Sequence, residues 1–350
     1  MSTTLTHPSA QSALRSTARQ DGVAAVLGLW MIGGLYADGW AHLNVGGLDS
    51  FFTPWHGVKN SGFTATAGWL AWTIWSSRRR SPGGGWRAWL PQPYRLGALS
   101  VIVFGLAGVA DMLWHLAFGI ETKVDALVSP THLVLLIGGT LLQTNPLRGV
   151  LQRHNGLPGS PAQAWPAIVS MGAAATLGAF FLSYLGVFTQ PLATIALTTI
   201  PEGAPGHLEG ELPASAGLAG YLLSMLTLVV PLLWLRRRGP LPAGTVTAIT
   251  ALVALPGAAL TEFRYGTAAV LAVVAAAAVD IVLWFWTRRS GRPVTPLGIG
   301  IVAPLLIWPA QLLGLAIDDR VAWSATMWTG AVALSVLAGA VIGLLATGRH

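Results

Sequence analysis

The chain has 350 residues, 53% of them apolar and only 9% charged, where a soluble domain carries about 25% charged residues. Its 20 Lys and Arg against 13 Asp and Glu give a formal charge of +7. The basic residues sit in short clusters between long apolar runs, so no nucleic-acid partner is expected. The absence of cysteine excludes disulfides, thiolate metal sites and cysteine nucleophiles.

The first 21 residues are polar, without an apolar core or cleavage site, and read as a disordered cytoplasmic tail. A bilayer core about 30 Å thick takes about 20 apolar residues in a helix. By that measure the chain holds ten candidate spans, the first five at 22–45, 56–76, 96–118, 131–147 and 165–187. The second five are 216–235, 243–263, 266–286, 297–317 and 321–347. Continuous apolar runs without alternation exclude a membrane barrel. The expected fold is therefore an all-α polytopic membrane bundle of about ten helices, with the lipid bilayer as its first partner.

Sixteen arginines fall in alternate connections, among them Arg78, Arg79 and Arg80, Arg236, Arg237 and Arg238, and Arg288 and Arg289. The other connections hold only Lys59, Lys123, Arg264 and Arg320. The positive-inside rule then places both termini in the cytoplasm, with a bacterial plasma membrane as the expected location. Trp86, Trp89, Trp165, Trp234 and Trp323 fall near span ends and read as an interfacial belt.

Residues 22–147 carry a parallel duplication. Both copies read Ala-Asp-x3-His-Leu-x2-Gly, then Asp-x3-[Ser/Thr]-Pro-x-His, which pairs Asp38 with Asp111, His42 with His115, Asp49 with Asp125, and His56 with His132. The Asp and first His of each copy are four apart and share a helix face. A Thr53-Pro54 or Ser129-Pro130 step is a helix-start signature. It sets His56 and His132 at the third helical position, where the positive helix end favours the neutral imidazole that binds metal. Each hairpin thus offers one carboxylate and two imidazoles near the extracytoplasmic surface. Ionisable groups at that depth are costly and mark functional sites.

This oxygen and nitrogen donor set suits copper, zinc or iron, in two mononuclear sites or one dinuclear site, and the extracytoplasmic position without cysteine favours copper. Glu121 and Asp280 are the candidates for acid–base work. Asp280 lies inside the eighth span as a proton station or as the partner of a Ser or Thr. Residues 148–350 form a six-helix bundle with an acidic loop at 188–215. Its His207-x-Glu209-x-Glu211 reads as a lid segment with weak metal affinity.

The Asp-x3-His…His hairpin resembles the C subunit of the copper-dependent membrane monooxygenases. Those enzymes oxidise methane, ammonia and short hydrocarbons and bind copper through Asp-x3-His-x12-His in membrane helices. Here the second spacer is 13 residues in the first copy and 16 in the second. The resemblance implies that Asp38, His42, His56, Asp111, His115 and His132 are copper ligands. It also implies an oxidoreductase with a small apolar substrate. Two further classes stay open on the residues alone: a metal or proton-coupled transporter, and an accessory subunit with membrane partners or a homo-oligomer.

Overall fold

A computed structural model describes residues 15–45, 53–80, 83, 89–119 and 124–347. Its first half contains α1 (Ala18–Asn44), α2 (Pro54–Arg80), α3 (Gln92–Phe118), the single turn α4 (Asp125–Val128), α5 (Pro130–Gln143) and α6 (Asn145–His154). Then come α7 (Pro161–Phe181), α8 (His207–Arg238), α9 (Thr245–Leu260), α10 (Gly266–Ser290), α11 (Pro296–Asp318) and α12 (Ala325–Ala346). No strand occurs among the described residues.

The protein is an integral membrane helix bundle. Seven helices, α1, α3, α7, α8, α10, α11 and α12, are long and apolar enough to cross a bilayer. The other three expected spans are helical but differ in kind. The 27-residue α2 has the length, yet Lys59, Asn60 and Thr64 give it a polar face that lines a cavity. The 14 residues of α5 reach about 21 Å at about 1.5 Å per residue. A break at Thr144 separates α5 from α6, so the expected span 131–147 is two helices. With 16 residues, α9 is also short.

Local signals set the helix starts. Thr17 and Gln20 form a reciprocal capping box on α1. Ser129 accepts from the His132 N–H on α5, Thr295 from Gly298 on α11, and Ser324 from Met327 on α12. Arginines at the basic ends lie over tryptophans: Arg78 over Trp89, Arg79 over Trp75, Arg238 over Trp234 and Arg288 over Trp284. Such stacking suits the headgroup boundary. Trp323 departs from the belt reading. It is 4% exposed and packs on Tyr221 with ring centroids 5.6 Å apart, so it belongs to the core.

The two halves are built differently. From α7 onward the interior is a continuous apolar core around Tyr221, Met225, Leu232 and Trp308. In the first half, α1 packs on α2 and α3 on α5, and α7 joins these pairs to the rest. The two pairs repeat one crossing. A Cβ on Gly62 would lie 2.6 Å from Met31 Cα, and a Cβ on Gly138 would lie 3.2 Å from the Phe104 backbone nitrogen. Gly62 and Gly138 each stand six residues after the second histidine, and Met31 and Phe104 each stand seven before the aspartate. The same close approach therefore brings together the same positions in both copies.

Candidate metal centre

In the first copy, Asp38 and His42 occupy the last turns of α1 and His56 the first turn of α2. Asp38 Oδ1 is 3.4 Å from His56 Nδ1 and 4.0 Å from His42 Nε2. The two imidazoles stand edge to face, with centroids 5.4 Å apart. The Asp38 side chain is 7% exposed, and its Oδ1 has no hydrogen-bond partner among the described residues. Its other oxygen, Oδ2, is 3.5 Å from Lys59 Nζ. Gly34 permits that contact, because a Cβ there would lie 2.8 Å from Lys59 Cα.

The second copy repeats the arrangement with two changes, in the carboxylate oxygens that face the imidazoles and in the further donor. Asp111 Oδ2 is 3.5 Å from His115 Nε2, and Asp111 Oδ1 is 3.3 Å from His132 Nδ1. The imidazole centroids are 5.9 Å apart. The further donor to the carboxylate is here a hydroxyl on the oxygen that faces His132: Thr131 Oγ1 donates to Asp111 Oδ1 at 2.8 Å. Asp38 and Asp111 are both buried, so each carboxylate needs such partners.

The helix caps also hold the ligand rings. Thr53 Oγ1 accepts from the His56 N–H at 3.1 Å and lies 2.8 Å from His56 Nδ1. Ser129 Oγ does the same for His132, at 3.3 Å and 2.7 Å. One hydroxyl therefore satisfies the first turn and holds the ring by the nitrogen that faces the carboxylate, so an ion bound at Nδ1 would displace that hydroxyl from it. This is why Ser or Thr stands three residues before each histidine.

The spacing fits a transition metal. Two donors each about 2.1 Å from one ion stand at most about 4.2 Å apart. The four carboxylate–imidazole separations, 3.3 to 4.0 Å, satisfy that limit. Within each set of three, all candidate ligand atoms lie within 4.8 Å of one another, so a small contraction closes the shell. The Asp38 Oδ1 atom, buried and without a donor, is the kind of oxygen a cation satisfies.

Both sets line one cavity of about 530 Å³ between the hairpins, α7 and the end of α9. Phe63, Phe104, Phe180 and Phe181 form its apolar wall. Thr189 and Gln190, from the segment after α7, add polar atoms at its edge. A mostly apolar cleft with a few convergent polar groups is the usual form of a small-molecule site.

The remaining candidates lie elsewhere. Glu121 and Asp49 fall outside the described residues. Asp125 is exposed and accepts from the N–H of its own neighbour Ala126 at 3.1 Å. Asp280 is not in the cavity wall. Its carboxylate caps the start of α9, accepting from the Thr247 N–H and hydroxyl at 2.9 and 2.7 Å and from the Val246 N–H at 3.2 Å. The loop expected at 188–215 ends sooner, because α8 begins at His207. His207 Nδ1 bonds the Ile200 carbonyl at 2.7 Å, which anchors that ring to the backbone.

Sequence reasoning missed Lys59, Thr131 and the two crossing glycines as parts of the centre. The only signal for the glycines was that they stand at the same offset from the histidine in both copies. No family model, no curated protein and no solved structure matches the chain. The likeness to the monooxygenase subunit therefore rests on the ligand pattern alone.

Proposed function

We propose that the protein is a membrane metalloprotein in which Asp38, His42, His56 and Asp111, His115, His132 hold transition-metal ions. Copper is the first choice and zinc or iron the alternatives. One observation carries the reading: two Asp-His-His sets of metal-compatible spacing share an apolar-walled cavity of about 530 Å³. The chemistry that fits such a cavity is oxidation of a small apolar molecule with dioxygen and an external electron donor. Bound copper would supply the one-electron redox steps. The chain's own groups bind and orient: the N-cap hydroxyls hold the rings, and the phenylalanines exclude water from the substrate side.

The arginine distribution supports cytoplasmic termini and an extracytoplasmic metal centre. The test is dioxygen uptake by copper-loaded membranes supplied with a reductant and a short hydrocarbon. Uptake dependent on hydrocarbon and abolished by His132→Ala supports the oxidase reading. Uptake unchanged by that substitution contradicts it.

A second reading, metal or proton transport, draws on a different observation. Met31 borders both the cavity and a space of about 10 Å³ lined by Thr66, Tyr94, Gln143 and Asn145, large enough for about one water. Polar groups thus lie on both sides of Met31, four of them in the smaller space. Vesicle uptake of labelled copper or zinc, lost in Gln143→Leu, is the result that would favour this reading.

A further inference from the structure

Among the described residues, the surroundings of the two sets differ in one charge. Lys59 follows His56 by three residues, and the matching position in the second copy is Leu135. The matching position of Thr131 is Trp55. An ammonium therefore stands 3.5 Å from Asp38 Oδ2, whereas the extra donor to Asp111 is a neutral hydroxyl on Oδ1. Lys59 is the only Lys or Arg among the described residues that line the cavity. With neutral imidazoles, the first set with Lys59 carries no net charge, and the second carries one negative charge.

Lys59 is held in this position. Its side chain is 17% exposed, and α1 approaches its backbone so closely that Gly34 has no room for a Cβ. A cation bonded to Asp38 would share that carboxylate with the ammonium. At an effective dielectric of about 20, unit charges a few ångströms apart alter a binding constant by orders of magnitude. Partial exposure and salt reduce this, leaving an expected effect of at least about tenfold.

We propose that the two sets are inequivalent, with Asp111, His115 and His132 taking a divalent ion first. Lys59 makes the Asp38 set the weaker divalent site. This inference rests on the metal reading above and deepens it, since it assigns an order of filling to the two sets. The repulsion from Lys59 is about half as large for a monocation, so the first set is disfavoured less for an ion such as Cu⁺ than for a dication.

The experiment is a titration of full-length, metal-stripped protein in detergent with Co²⁺, followed by its visible absorption and repeated with Zn²⁺ by competition. Two classes are expected, the first equivalent binding at least about tenfold more tightly than the second. His132→Ala should remove the tight class, and His56→Ala should remove the weak one. Lys59→Met should narrow the gap, while Lys59→Arg should keep it. Retention of the tight class in Lys59→Met shows that the variant is folded. Two equal classes in the unaltered protein overturn the inference and leave the metal reading intact, as does loss of the tight class in His56→Ala. That pair of results is decisive even where Lys59→Met does not fold. Absence of any binding overturns the metal reading together with the inference.

Discussion

The Thr131 hydroxyl donates to Asp111 Oδ1 at 2.8 Å, and Thr131 immediately precedes the candidate ligand His132. A single turn of α5 thus supplies both an imidazole and the donor that aims the carboxylate facing it. Thr131→Val keeps the shape and removes the donor. Loss of an outer-shell partner of this kind typically lowers metal affinity about 10–100-fold. Chelator competition on the purified variant should show that loss, and unchanged affinity would remove Thr131 from the centre.

The crossing glycines make an ordered prediction. Gly62→Ala would place a Cβ 2.6 Å from backbone, and Gly138→Ala one at 3.2 Å, whereas Gly68 faces open space. Overpacking of this sort costs about 1–3 kcal/mol. Thermal unfolding in detergent should therefore rank Gly62→Ala below Gly138→Ala. Gly68→Ala should be unchanged or more stable by up to about 1 kcal/mol, as expected for alanine in a helix. The reverse order would mean that close approach does not hold the hairpins together.

Asp280 should behave as a cap. Asp280→Ala leaves the Val246 and Thr247 N–H groups without their acceptor. Buried unpaired groups cost about 1–3 kcal/mol each. A lower melting temperature with metal content unchanged is the expected outcome. Loss of metal-dependent activity at unaltered stability would instead restore the proton-station role.

At the arginine-rich end, Asp21 is fully buried and accepts from Ser16 at 3.1 Å and from Tyr94 at 2.9 Å, with Arg153 as its ion partner. These bonds tie the start of α1 to α3 and α6. Removing one member of a buried pair is destabilising by about 3–5 kcal/mol. Asp21→Ala should therefore lower the unfolding temperature more than any substitution above. Gly149→Ala should act in the same direction, because its Cβ would lie 2.1 Å from Asp21 Oδ1. Wild-type stability in both variants would contradict this account of the network.

Much of the centre was legible because it is written twice. The four-residue step from Asp38 to His42 and from Asp111 to His115 reports a shared helix face directly. The Thr53 and Ser129 caps follow from local chain chemistry. What escaped was long-range or ambiguous. Lys59 reads as an ordinary residue near a span end until α1 is laid against it. Asp280 caps a helix other than its own, a relation that no periodicity carries. Among the described residues, seven of the ten expected spans are single helices that meet a bilayer's length and apolarity. The polar face of α2 serves the cavity, and α5 and α9 are short.

The central claim, that the paired Asp-His-His sets hold transition metal, is tested most directly by elemental analysis of freshly purified protein. The account predicts at least one copper, zinc or iron per chain, copper foremost. That content should be lost in the combined His42→Ala and His115→Ala variant while the helical circular dichroism persists. Metal-free protein that also takes up none of these ions on reconstitution would contradict it.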